Sequence, residues 1–373
     1  MLAYSLLTLA LTGSPAKAGL VGFARLAPFG VLSLFAGVIA DRSDRKRIMV
    51  AADAVRGIAL ALLGVTLLAG DTPFAAIVAV ACVEGAGDAF FRPAAAGATR
   101  SVVPPRQLPA ASSTTQARLA TVLLIGPPLG GALYGIGRAV PFVVDALSYV
   151  GSLVTVLLMR TPFQEAREAA PERLRAQLRD GLRFLWSQRF LRTCALLLTV
   201  TNIVASGTLL AVVVVGREQG LSGGEIGVVL ATLGVAMLVG SLASPLLRRR
   251  LPARRILLLE LWTWVGTGVF VVWPDVYVLA AAIVPCGFAI PNTDAVIGAY
   301  ALAIPPDRLV GRVDSVLITI AVAAAPLGTL GAGLLLDAAG GRATVAALAG
   351  LALLLAIVGT LSPAVRSAPS LDR

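Results

Sequence analysis

Long apolar runs alternate with short polar breaks along the whole chain. Segments near 17–40, 48–69, 74–91, 110–136 and 139–159 form a first group. A second group lies near 193–215, 224–247, 255–273, 277–300, 314–335 and 343–361. Each holds close to the ~20 apolar residues a helix needs to cross a ~30 Å hydrocarbon core. Leu2–Thr12 is apolar too, but it supplies about half a crossing. A cleaved signal peptide is rejected for this run, because Lys17 follows it and no small-residue cleavage site closes it. The run reads instead as the second half of a first span. The pattern therefore predicts an all-α integral membrane protein of twelve helices, the first N-terminally truncated.

One long polar stretch, 160–192, divides the chain. The expected organisation is a first six-helix half over 1–159, a linker over 160–192, a second half over 193–361 and a tail over 362–373. Within the linker Leu174, Leu178, Leu182 and Leu185 recur at helical spacing, with Phe184 and Trp186 nearby and arginines between. That spacing predicts an amphipathic helix lying on the membrane surface.

Composition agrees with the pattern and removes the soluble classes. Of the 373 residues 57% are hydrophobic and 14% charged, with a mean hydropathy of +0.88, whereas a soluble domain carries about 25% charged residues. Net charge is +11 and the isoelectric point near 10.7, values that would suggest nucleic acid in a soluble chain. Their distribution points to lipid. Arg42, Arg45, Lys46 and Arg47 fill the 41–47 loop, and Arg248, Arg249, Arg250, Arg254 and Arg255 the 248–255 loop. Most remaining arginines lie in 160–192 and in alternate loops. The positive-inside rule puts these loops and the C-terminus in the cytoplasm of a plasma-membrane protein, against anionic lipid. No nucleic-acid partner is expected.

The two halves echo one another. Val103–Leu108 (VPPRQL) matches Ile304–Leu309 (IPPDRL), Gly126–Gly135 resembles Ala325–Leu334, and Arg45–Val50 resembles Ala253–Leu258. The order is kept and the offset is nearly constant. Such repeats build many secondary transporters, with a site near the midplane between halves.

At the end of the second span stands Gly37-Val38-Ile39-Ala40-Asp41-Arg42-Ser43-Asp44-Arg45-Lys46-Arg47. It resembles the G-x-x-x-D-R-x-G-R-R signature between helices 2 and 3 of the major facilitator superfamily, with Asp44 in place of the last glycine. That variant, followed by Ala51–Arg56, is similar to the macrolide-efflux and enterobactin-exporter branch of drug:proton antiporters. The resemblance implies a latch that shuts the cytoplasmic side in the outward-facing state, built by Gly37, Asp41, Arg42, Arg45, Lys46 and Arg47. Asp53, Arg56 and Arg92 are expected to join it. The competing reading is a basic loop that merely obeys the positive-inside rule. In the fifth span Gly126, Pro127, Gly130 and Gly131 resemble the core of the G-P-x-x-G-G motif of proton-coupled antiporters; a plain packing kink is the alternative.

Ionisable residues inside spans are costly and mark function. Glu84, Asp88 and Arg92 fall at i, i+4 and i+8, on one helix face. Pairing of Asp88 with Arg92 leaves Glu84 as the proton-coupling candidate, with Asp88 and Asp145 behind it; a permanently paired structural carboxylate is the alternative. Arg25, Arg118, Asn202, Asn292 and Asp294 are candidates to line the cavity. The chain has no histidine, which removes imidazole chemistry, and no phosphate-binding glycine loop. Cys82, Cys194 and Cys286 lie in different spans. The expected function is proton-coupled efflux of a small amphipathic or lipophilic compound by a monomer. It would use no cofactor and no metal, and the proton gradient would supply the energy. An uptake symporter or facilitator of the same superfamily is the alternative, as is a transport-incompetent product if Met1 is the true start; no catalytic set supports an enzyme.

Overall fold

Capping side chains start four of the described helices, at Ser14, Asp44, Ser222 and Asp275. The computed structural model describes residues 1–159, 163, 174–306 and 309–366. Helix α1 (Leu2–Thr12) ends at Gly13, whose φ of 64° gives the left-handed turn that glycine adopts without strain. Ser14 then caps α2 (Pro15–Arg42) by accepting from Lys17 N, with Pro15 in the first turn. Asp44 caps α3 (Arg45–Ala69) by accepting from Arg47 N at 3.2 Å. The residue that departs from the general signature thus starts the third helix.

The first half continues with α4 (Phe74–Val102), α5 (Leu108–Ile136) and α6 (Val140–Leu158). After α7 (Leu174–Ser187) come α8 (Arg189–Glu218) and α9 (Gly223–Arg250). Ser222 and Glu225 form a reciprocal capping box at the start of α9. Helix α10 (Ala253–Val265) runs on as a 3₁₀ segment to Val271, followed by α11 (Val276–Ala303) and α12 (Val310–Ala323). Helix α13 (Ala325–Leu361) contains a break at Gly340 (φ 76°, ψ 177°). That break divides the eleventh expected span from the twelfth without a loop. A four-residue turn, α14 (Pro363–Arg366), ends the described chain. Among the described residues there is no strand, and seven helices taken whole are long and apolar enough to cross a bilayer.

Helices α2, α3, α4 and α6 pack together, as do α8, α9, α10, α11 and α13. The first half, with α5, meets the second chiefly along two seams, α2 against α13 and α5 against α9, and α2 also touches α12. Both seams need glycine, because backbones touch. A Cβ on Gly19 would lie 2.6 Å from Thr329 O and 2.8 Å from Gly333 Cα, and one on Gly131 would strike the carbonyl of Gly223. All these contacts lie toward the face opposite the basic loops. There Asp337 Oδ1 on α13 accepts from Ser14 Oγ at 3.0 Å and Ala16 N at 3.5 Å, so one half caps a helix of the other. On the same side of α2, nearer the basic face, a Cβ on Gly37 would meet no atom among the described residues. The described contacts between the halves concentrate on the opposite face, and near the middle of α2 a Cβ on Gly30 would lie 3.0 Å from Ala323 Cα of α12.

Helix α7 differs from expectation. It packs on α8 and α12 rather than offering its whole apolar face to lipid. Leu185 is fully buried among Phe190, Leu191, Ile256 and Val313, and Arg312 Nη1 reaches Asp180 Oδ2 at 3.4 Å. Leu182 and Trp186 stay exposed, while the side chains of Leu174 and Leu178 lie outside the described set.

Candidate functional site

The first half holds a buried cluster of charges where α2, α3, α4 and α6 meet. Asp88 on α4 is its centre. Its two oxygens bind Arg25 Nη2 of α2 at 2.9 Å and Arg56 Nη1 of α3 at 2.6 Å. Arg56 also pairs with Asp53 at 2.5 Å, and Asp53 accepts from Ser152 Oγ of α6 at 2.6 Å. The Arg56 guanidinium is stacked on the rings of Phe91 and Tyr149, 5.0 Å and 4.5 Å from their centroids. Glu84, one turn up from Asp88, lies 3.5 Å from Arg25 Nε and accepts from Tyr149 OH at 3.4 Å.

Local sequence permits this arrangement. Gly85 lets the Arg25 carbonyl of α2 approach α4, and at Gly87 a Cβ would fall 2.5 Å from Arg56 Cδ. Asp53, Arg56 and Glu84 are 1%, 4% and 3% exposed. Glu84 stands ten residues from the start of α4, about 15 Å along the helix. The buried group thus contains three carboxyls and two guanidiniums. When every member is ionised it carries an excess negative charge, and one proton makes it neutral.

Two expectations about pairing change. Asp88 is held chiefly by Arg25 and Arg56; Arg92 lies 3.9 Å away, is mostly exposed, and rests over the Phe29 ring. Asp53 and Arg56 belong to the interior cluster and not to the 41–47 loop, because their turn of α3 faces α4 and α6. Tyr149 and Ser152 were not singled out from sequence, since only the packing of α6 on α3 brings them to the charges.

The motif residues act within the first half in this conformation. Arg45 donates to Ala40 O at 3.3 Å, Ser101 Oγ at 3.1 Å and Phe163 O at 3.3 Å, bracing the ends of α2 and α4. Lys46 Nζ caps the last carbonyls of α6, Leu157 O at 3.0 Å and Met159 O at 2.7 Å. Arg42 and Arg47 are exposed, Arg47 lying 3.5 Å from Asp44. At Gly37, expected to allow a close helix approach, an added Cβ would meet no described atom within 4 Å. The side chain of Asp41 lies outside the described set.

The remaining candidates scatter. Asp145 is exposed on α6, held by Ser148 Oγ at 3.3 Å, and lies within electrostatic reach of Glu84 and Arg25. Arg118 is exposed on α5. Asn202 is half-buried and turned back onto Leu198 O at 2.9 Å. Asn292 is fully buried and ties α11 to α9 through Gly240 O at 3.2 Å, so it is a helix contact and no cavity wall. Asp294, two residues on, is exposed. Of the α5 motif, Gly131 meets Gly223 and the Pro127 carbonyl receives Gly227, whereas a Cβ on Gly130 would meet nothing and one on Gly126 only Val122 at 3.9 Å. Among the described residues no three His, Cys, Asp or Glu side chains are grouped to hold a metal ion.

Comparisons with known proteins bear on the fold and the family. A family model described as Major Facilitator Superfamily matches residues 1–259. The multidrug efflux pump Tap of Mycobacterium tuberculosis is 30% identical over 394 residues, covering 100% of this chain and 92% of that protein. Macrolide efflux protein A of Enterococcus faecalis is 29% identical over 136 residues, 36% of this chain and 42% of its own. Among solved structures, a bacterial homolog of the human lysosomal transporter Spinster, inward-facing and unoccupied, superposes with a TM-score of 0.74. Its identity is 15%, and the match covers 98% of this chain and 92% of that one.

Proposed function

Because the chain belongs to the major facilitator superfamily, we propose that it exports a small amphipathic or lipophilic compound in exchange for protons, by alternating access. The observation that carries this reading is the buried excess of carboxyls over arginines in the Arg25–Glu84–Asp88–Arg56–Asp53 cluster. The efflux relatives support the direction of transport. The basic face is cytoplasmic by the positive-inside rule, with the 41–47 loop, the linker and the C-terminus on that side of the plasma membrane.

In this reading a conformation open toward the basic face takes up substrate from the cytoplasmic side. Arg25 is the shared element, since it touches both Glu84 and Asp88. A proton on Glu84 removes one claim on Arg25 and leaves it to Asp88; loss of that proton restores the pair. Substrate and proton thus compete through the charge of one cluster, as antiport requires. In the alternate state the opposite-face seams part and the basic face shuts. Gly37 then gives α2 room to approach the second half, and Asp41 with Arg45 latches the closed side.

The test is accumulation of ethidium, and separately of erythromycin, by cells expressing the chain, with and without a protonophore. Without the protonophore, accumulation of at least one compound should be lower than in cells lacking the chain, and collapse of the gradient should raise it to their level. A fall on uncoupling would mean uptake. No gradient-dependent change with either compound would overturn the proton-coupled reading.

A further inference from the structure

The second half hides a carboxyl that the cluster above does not use. Glu260 on α10 is 4% exposed, and no basic side chain pairs with it among the described residues. It lies seven residues from the start of α10, about 10 Å inside that helix. Beside its carboxyl stand Trp264 of its own helix and Thr293 of α11. Trp264 Nε1 and Thr293 Oγ1 are buried and make no hydrogen bond of ordinary geometry. Two polar side chains, 2% and 3% exposed, are therefore held next to a carboxyl that has no cation. An ionised carboxylate in that position lacks the compensation that buried charges need.

We propose that Glu260 is a reversible proton-binding site of this protein, separate from the Glu84–Asp88 cluster and loaded by way of Asp294. Asp294 is exposed, adjoins Thr293 in the chain and lies within electrostatic reach of Glu260. A proton passes from water to the Asp294 carboxylate and from there to a Glu260 oxygen; no other bond forms or breaks.

The surroundings leave few competitors. Helix α11 contributes Asp294 and Cys286, whose thiol donates to Ala282 O. On α9, Glu225 and Arg248, Arg249 and Arg250 sit at the two ends, and on α13 Asp337 and Arg342 flank the break at Gly340. Arg254 and Arg255 of α10 are exposed at its start. The 3₁₀ segment Gly266–Val271 carries no ionisable group. Among the described residues no lysine or arginine forms an ion pair with Glu260. The inference extends the proton-coupled reading, yet its test does not depend on transport.

Infrared difference spectra of the full chain in lipid, titrated between about pH 5 and pH 9, read the carbonyl stretch of neutral carboxyls. A band that appears and disappears reversibly should be lost in Glu260→Gln and kept in Glu84→Gln. In Asp294→Asn the band should remain but form more slowly after a pH jump. A band unchanged in Glu260→Gln, or one that does not titrate, would overturn the site. An unaltered rate in Asp294→Asn would overturn the loading route. Transport insensitive to the gradient would sink the proton-antiport function while leaving this band in place.

Discussion

Replacing Arg56 by methionine removes the cation that holds two carboxylates inside the first half. Asp53 would keep only Ser152 Oγ at 2.6 Å, in a site 1% exposed, while Asp88 would keep Arg25 at 2.9 Å. Breaking a buried pair by deleting one partner costs about 3–5 kcal/mol, because the other charge stays buried. Arg92 offers the internal control, since it lies 3.9 Å from Asp88 and is 67% exposed. An exposed pair of that kind is worth about 0–1 kcal/mol, so Arg92→Met should cost no more. The assay is unfolding of each purified variant in one detergent, followed by intrinsic fluorescence against denaturant. Arg56→Met should be the far less stable of the two, and adding Asp53→Asn should recover part of the loss. Equal losses for Arg56→Met and Arg92→Met would refute the reasoning, as would a double variant no more stable than the single.

Three further outcomes follow from the same geometry. Glu84→Gln should retain exchange of an exported compound across proteoliposomes without a gradient and lose gradient-driven accumulation; full uphill transport would remove Glu84 from the coupling role. Gly131→Leu would drive a side chain into the Gly223 carbonyl, and Asp337→Ala would delete a cross-half cap worth about 1 kcal/mol, a shift of roughly 5-fold between conformations. Spin-label distances between Ile136→Cys and Trp273→Cys, both exposed on the opposite face, should lengthen in each background; unchanged distances would mean the seams do not control closure. Leu185→Ala should destabilise the protein by about 2–5 kcal/mol, because its side chain is fully buried where α7 meets the second half. A helix merely resting on lipid would lose far less, and the same unfolding assay separates the two.

Much of the fold was legible because the bilayer allows few solutions. Backbone groups in hydrocarbon must bond within a helix, so a run of apolar residues near Leu60 or Leu210 has one permitted structure. Charged residues at Arg45–Arg47 then mark one face as basic. The candidate site was legible only in part. Glu84 and Asp88 stand out because carboxyls are rare inside spans, and helical spacing puts them on one face. Their true partners were hidden, since Arg25 and Arg56 lie on other helices and Arg92 is the neighbour in sequence. Glu260 passed unnoticed in ILLLELW, although it is the single acid inside α10 and that isolation was the available signal.

By itself the sequence determined the number and order of the spans, the breaks between them and which face is basic, because each follows from local hydrophobicity, capping and charge. Only the tertiary structure decided which charges meet, that Asp44 and Lys46 cap helices, and that α7 docks on α8 and α12. It also decided that the two halves touch through glycine seams on the face opposite the basic loops. These depend on the rotation and tilt of each helix about its axis. Apolar surface is nearly equivalent all round a helix in lipid, so those angles are set by close packing and by the few buried polar groups that must find partners.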